Sequence, residues 1–361
     1  MEIGSEFWGD FDSVQIYNKQ QVPEWLNLGV ENKLLLSGRT ALDFIINDIK
    51  CRREIKTAYL PAYCCSSMVK PFLDNNIRVD FYNVKYDVQN GFKYDIDFDK
   101  PIDIFLVMNY YGFTKSEMKS EIEYFKNIGS IVIEDITHSL LNINNSNADY
   151  GVASIRKWMA IPSGAIAINF NDEFIKFNIK LLKNAEYINI RLKAMKLKDK
   201  YMKTGNEKLK PIFLEKYDYT NELLKNEYKG FEIDDISMEI LNNICLNDIK
   251  EKRKINVEYI YNNLKETKDL RFVYLYINDD SCPLFVPVRV NKDKRDNLRR
   301  YLISKKIYCP VHWNYYPDRY NSKDLNDINQ TVLSLVCDQR YGEKEMEYMV
   351  RIINEYMTFT A

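Results

Sequence analysis

The chain has 361 residues, 46% of them hydrophobic and 29% charged, with a formal net charge of −1. That length supports a large buried core and suggests two domains, and the near-neutral charge excludes a global field that would gather nucleic acid or an anionic membrane. No stretch reaches the roughly 20 apolar residues of a membrane span, and the seven scattered cysteines, with no Cys-x-x-Cys pair, read neither as a disulfide framework nor as a zinc site. The first residues lack a basic segment followed by an apolar run, so a cytoplasmic protein is expected, with no membrane or nucleic-acid partner.

In chain order, Ser37-Gly38-Arg39-Thr40 opens a segment with apolar residues at Leu42, Ile45, Ile46 and Ile49. The spacing i, i+3, i+4, i+7 predicts an amphipathic helix. Apolar runs at 57–60, 79–84, 104–108 and 131–133 are of strand length, and a helical pattern covers 115–127. Residues 164–170 read as one more strand. Strands alternating with helices predict an α/β fold: a mainly parallel sheet covered on both faces, hence three layers. Residues 171–230 are lysine-rich and helical, with acids interleaved, which predicts solvated surface helices. In the last third, 271–277, 284–290 and 331–337 look like strands and 293–306 like a helix. Met346, Met349, Val350 and Ile353 mark a final amphipathic helix. A large unit over 1–245 and a smaller α+β unit over 246–361 are expected.

Four places could carry chemistry. The run Ile131-Val132-Ile133-Glu134-Asp135 delivers two acids at a strand end, the edge where open α/β sheets bind ligands. His138, one of two histidines, follows three residues later. Lys157, in Ser154-Ile155-Arg156-Lys157-Trp158, has apolar neighbours and an adjacent cation, surroundings that can lower an amine's pKa and make it nucleophilic. Ser154 offers a hydroxyl. The helix start at Ser37-Gly38-Arg39-Thr40 has free N–H groups and the positive dipole end, which favour a phosphate. Taken singly, each has an ordinary structural reading as a cap, a salt bridge or a surface side chain. Together they suit a cofactor with a phosphate, a ring nitrogen and an aldehyde, as pyridoxal phosphate has.

These segments, with Leu60-Pro61-Ala62-Tyr63 and 333–342, resemble the sugar aminotransferases of the DegT/DnrJ/StrS family, which share the three-layer aspartate-aminotransferase-like fold of type I pyridoxal-phosphate enzymes. The resemblance implies that Lys157 holds the cofactor as a Schiff base and moves the substrate Cα proton. It implies that Asp135 pairs with the ring nitrogen, that His138 contacts the phenolic side, and that Gly38, Arg39, Thr40 and Ser154 bind the phosphate. Tyr63 and His312 are implied as substrate contacts. It further implies a homodimer, an amino donor such as glutamate, a keto or aldehyde acceptor on a sugar or small metabolite, and a setting in amino-sugar or surface-glycan synthesis.

The sequence departs from the family in three places. Ser163-Gly164-Ala165 stands where Gly-Gly is common, and Ser154 lies only three residues before the lysine. The Asn-Tyr-Arg segment that a neighbouring subunit contributes is replaced by Ile233-Asp234-Asp235-Ile236-Ser237-Met238. The acceptor therefore stays open, including whether it is phosphorylated or nucleotide-linked. Other pyridoxal-phosphate chemistry, such as dehydration, or a non-catalytic protein of the same fold are the competing readings. Lys157 argues against the first, and Lys157 with Asp135 argues against the second. No Gly-x-Gly-x-x-Gly follows a strand, which weakens a nucleotide-binding module.

Overall fold

The computed structural model describes residues 2–16, 21–89, 91–113, 118–142, 146–175, 182–278, 281–313, 320 and 322–360. The chain opens with β1 (Ile3–Gly4) and then alternates: β2 (Glu31–Leu35), α1 (Gly38–Arg52), β3 (Thr57–Pro61), α2 (Ser66–Leu73), β4 (Arg78–Asp87), β5 (Gly91–Asp95), β6 (Ile104–Met108), α3 (Lys119–Asn127), β7 (Ile131–Asp135), β8 (Tyr150–Ala153) and β9 (Ala165–Asn169). Strands β2 to β9 form one eight-stranded sheet in the order β2-β9-β8-β7-β6-β3-β4-β5.

The pairs β4–β3, β3–β6, β6–β7 and β7–β8 are parallel, whereas β9 runs antiparallel to both its neighbours and β5 runs antiparallel to β4. The sheet is thus mainly parallel, as expected, with its reversals toward the edges. Every residue of β6 and β9 is buried, the pattern of strands covered on both faces. In α1 the apolar stripe Leu42, Ile45, Ile46 and Ile49 is buried, and Ser37 caps the first turn by accepting from the Thr40 N–H.

The expected helix over 115–127 is described from Lys119 to Asn127, its first residues lying outside the described set. Among the elements not read from sequence, β2, α2 and β5 carry weak patterns. β2 is half-exposed, α2 is short and contains Pro71, and β5 is an edge strand.

After the sheet come α4 (Ala185–Thr204) and α5 (Leu209–Asn226), which pack on each other, followed by α6 (Asp235–Asn242) and α7 (Leu246–Asn263). The helices α4 and α5 are less solvated than their composition predicts. Arg191 and Lys198 of α4 are buried against the N-terminal segment. Arg191 pairs with Glu6 at 2.5 Å, and the Lys198 ammonium donates to the Glu6 carbonyl while lying 4.8 Å from the Trp8 ring centre. Aromatic and carbonyl partners replace the water that lysine-rich helices normally face.

The C-terminal third contains β10 (Leu270–Phe272), β11 (Val286–Val290), α8 (Lys292–Ser304), β12 (Ile307–Tyr308), α9 (Lys323–Thr331), β13 (Val332–Leu335) and α10 (Glu343–Phe359). Antiparallel pairing in the order β10-β11-β13 makes a small sheet. The strand expected over 271–277 stops at Phe272, where the chain turns so that Tyr274 stacks on Phe113 instead. Residues Ile3 and Gly4 pair in parallel with Ile307 and Tyr308, so the N-terminal segment is held by the last third of the chain.

Candidate active site

Strand alternation separates the two acids that end β7. Glu134 is buried and bonded to Asn109 and Ser146, whose amide and hydroxyl donate to it, the amide at 2.6 Å. Its role is to tie loops together. Asp135 lines a cleft at the C-terminal edge of the sheet, where its Oδ1 accepts the Thr137 N–H at 2.8 Å. Burial raises the Asp135 pKa, and the charge of Lys157 is among the influences that oppose the rise.

Lys157 ends a 3-10 turn, Ile155–Lys157, that follows β8. The turn is locked from both sides. The Ile155 and Arg156 N–H groups donate to the Gly164 carbonyl, at 3.0 and 3.2 Å. The Trp158 indole donates to the Thr137 carbonyl at 2.7 Å, and the Ser154 N–H to the Thr137 hydroxyl at 3.1 Å. Thr137 therefore clamps the lysine turn to the aspartate turn. Ile155 and Trp158 are fully buried, whereas Lys157 is exposed. The apolar neighbours seen in the sequence face the core and do not enclose the amine. The lysine stands at the junction of two clefts, both of which it lines together with Arg156.

The first cleft holds about 220 Å³. Its walls include Gly38 and Arg39 at the start of α1, Ser154, Asp135 and Lys157. Gly38 and Ser154 are close: a Cβ on Gly38 would lie 3.4 Å from the Ser154 Cβ and narrow the space between the helix start and the serine. Thr40 is turned inward, its hydroxyl 2.8 Å from that of Ser37, and it does not line the cleft. Arg39 lines it, but its guanidinium donates to the Leu224 carbonyl and lies 5.5 Å from the Tyr228 ring centre.

His138 is completely buried, with its ring stacked near Trp313. Its Nδ1 accepts the Tyr111 N–H at 3.2 Å, so the ring proton resides on Nε2, which is buried with no hydrogen-bond partner among the described residues. Burial, helped by Lys157 and His312, pushes its pKa well down. The ring is a neutral donor lacking an acceptor.

The second cleft holds about 480 Å³ between the N-terminal segment and the C-terminal third, with Glu6, Arg299 and His312 among its walls. The His312 Nδ1 lies 2.8 Å from the Ser334 hydroxyl, and its pKa is pushed down to about 3 by burial and by Lys157. Tyr63 lines neither cleft. It is buried, with its hydroxyl shared between Tyr111 at 3.1 Å and the His312 carbonyl.

The structure thus brings Gly38, Arg39, Asp135, Ser154 and Lys157 to one cleft and His312 to the adjoining one, and sets Thr40, Tyr63 and His138 behind the walls. It adds Cys65 and Ser67 at the start of α2, Asn221 and Lys225 from α5, and Trp313. The two on α2 could have been found by the same helix-start argument that marked Ser37. Those on α5 lie in a lysine-rich helix whose sequence gives no sign of them.

The residues present fit pyridoxal phosphate. A donor without an acceptor at His138, a buried carboxylate at Asp135 and the Gly38–Ser154 gap beside a helix start are the features that such a group would engage.

No family model and no curated protein sequence matches the chain. Solved structures do. Helicobacter pylori PseC, an aminotransferase involved in the biosynthesis of pseudoaminic acid, is similar with a TM-score of 0.67 and 13% identity, covering 98% of this chain and 99% of its own. The aminotransferase TlmJ from Streptoalloteichus hindustanus gives 0.63 and 14%, covering 94% and 89%. NtdA from Bacillus subtilis, with its cofactor PMP bound, gives 0.60 and 16%, covering 90% and 74%. The chain has the aminotransferase fold. Its mainly parallel large sheet and smaller C-terminal sheet are those that the sequence resemblance implied.

Proposed function

We propose that the chain is a pyridoxal-phosphate-dependent aminotransferase. It would move an amino group from a small-molecule donor, glutamate by the family resemblance, to a keto or aldehyde carbon of a sugar or small metabolite in amino-sugar or surface-glycan synthesis. The observation that carries this reading is one cleft that joins Lys157, the buried Asp135 carboxylate and the α1 helix start beside Ser154. The known activities of PseC and TlmJ, at the level their descriptions give, support it.

When bound, the cofactor supplies an aldehyde that takes up amines and a ring that draws electrons from the substrate carbon. The residues of this chain do the rest. Lys157 would present the amine that holds the aldehyde, and its free amine would move the proton to and from the substrate Cα. The Asp135 carboxylate would keep a proton on the ring nitrogen. By the family resemblance His138 would offer its unpartnered Nε2–H to the phenolic side from behind the cleft wall. The N–H groups at the start of α1, by Gly38, and the Ser154 hydroxyl would bind the phosphate. Neutral His312, oriented by Ser334, faces the substrate in the second cleft. In this reading 1–245 forms the cofactor unit, 246–361 closes the second cleft, and the enzyme works as a cytoplasmic homodimer.

The test is direct. Protein supplied with pyridoxal phosphate should absorb at about 410–430 nm, the range of its lysine adducts. Borohydride should fix the label on the peptide carrying Lys157. Lys157→Ala should lose the band, the label and transamination. A variant that kept its turnover, or a label on another lysine, would sink the assignment.

A further inference from the structure

One wall of the first cleft is not explained by any motif of the sequence. It comes from the end of α5. Leu224 is buried in a cluster with Leu36, the residue just before the Ser37 cap of α1. The Arg39 guanidinium donates to the Leu224 carbonyl, one of those that a helix end leaves open. Packing and hydrogen bond together fix the last turn of α5 to the first turn of α1.

On that turn Asn221 and Lys225 are spaced i, i+4 and share a helix face. Both line the cleft with Gly38 and Ser154. Among the described residues, the Asn221 amide makes no hydrogen bond and the Lys225 ammonium is paired only with Glu222, on its own helix. The cleft is also unevenly charged. Arg39, Arg156, Lys157 and Lys225 line it against the single acid Asp135. With Lys157 and Asp135 engaged by an aldehyde and a ring nitrogen, and Arg39 committed to α5, a positive excess remains at the helix-start end. A phosphate monoester, which carries roughly −1.5 to −2 at neutral pH, matches that excess.

We propose that Asn221 and Lys225 are phosphate-binding residues of the cofactor cleft, supplied by the chain's own α5. This rests on the cofactor reading above and extends it: the phosphate site draws part of its walls from a helix of the same chain. The amide donates to a phosphate oxygen, and the ammonium adds a charge-assisted bond.

The experiment compares two aldehydes that differ only in the phosphate. Apo-protein is titrated with pyridoxal phosphate and with pyridoxal, following the absorbance of the lysine adduct, in the wild type and in the Asn221→Ala/Lys225→Gln variant. Loss of two such bonds should weaken pyridoxal phosphate by about tenfold or more, leaving pyridoxal within about twofold. Equal weakening of both aldehydes would mean that α5 acts only as scaffold, and no weakening of either would mean that it does not touch the phosphate. Each result overturns the proposal. A wild type that forms an adduct while the variant is unchanged removes α5 alone; a wild type that forms none with either aldehyde removes the cofactor reading, and this proposal with it.

Discussion

The Ser163 hydroxyl donates to the Asp234 carboxylate at 2.5 Å, and the Asp234 N–H returns a bond to the same hydroxyl at 3.1 Å. The Ser163 N–H donates to the Ser237 hydroxyl at 3.2 Å, and Asp234 caps α6 through the Ser237 N–H. Two departures from the family pattern, the serine after the lysine segment and the altered stretch at 233–238, are therefore partners. Together they hold the return from the lysine turn into β9. All three side chains are buried, so each loss strands a polar group. Ser163→Ala and Asp234→Ala should each cost about 1–3 kcal/mol. The double variant should cost clearly less than their sum in urea unfolding. Additive losses would show that the pair is not a unit.

His312, on the second cleft, and His138, behind the walls, both have depressed pKa values: His312 pushed down to about 3, His138 also well below its usual range. The sign of the pH effect follows. Between about 6.5, the unfolded value, and the folded values, the unfolded chain binds more protons than the folded one. Stability is then full above pH 6.5 and falls as the pH drops below it. The slope is at most about 1.4 kcal/mol per pH unit for each histidine. Unfolding at pH 7, 6 and 5.5 should show the fall, and the His138→Gln/His312→Gln variant should flatten it. An unchanged slope in that variant would assign the effect to other groups.

Legibility differed sharply between the parts of this site. Asp135 is marked by a strand end and Lys157 by apolar neighbours beside a second cation, and the family-like context joins them. The sheet was readable because covered parallel strands such as β6 are continuously apolar. What sequence could not give was direction. Arg39 and Thr40 were marked by the same helix-start logic as Gly38, yet the guanidinium turns to the α5 carbonyl and the hydroxyl to Ser37. The guanidinium's direction is set by the long-range packing that brings Leu224 into one cluster with Leu36, whereas the Thr40 hydroxyl meets the cap residue three positions back. Lys198 likewise has the sequence context of a solvated lysine, yet the N-terminal segment, far away in sequence, covers it.

Asp135 carries both a charge and a structural bond, and one substitution separates them. Asp135 accepts the Thr137 N–H through Oδ1, and Thr137 in turn holds both Ser154 and Trp158. Asparagine keeps an oxygen acceptor of the same reach but loses the negative charge. Asp135→Asn should therefore leave the fold and the Thr137 clamp intact, with thermal unfolding close to wild type. Pyridoxal phosphate should still bind and remain fixable on Lys157. Removal of Cα protons should slow by on the order of a hundredfold or more, because the ring nitrogen loses the carboxylate that keeps its proton in place. Single-turnover kinetics with amino donor measure that step apart from binding. An Asn variant with unchanged half-reaction rates would take Asp135 out of the chemistry and leave it as the anchor of the turn that sets Lys157 in the cleft.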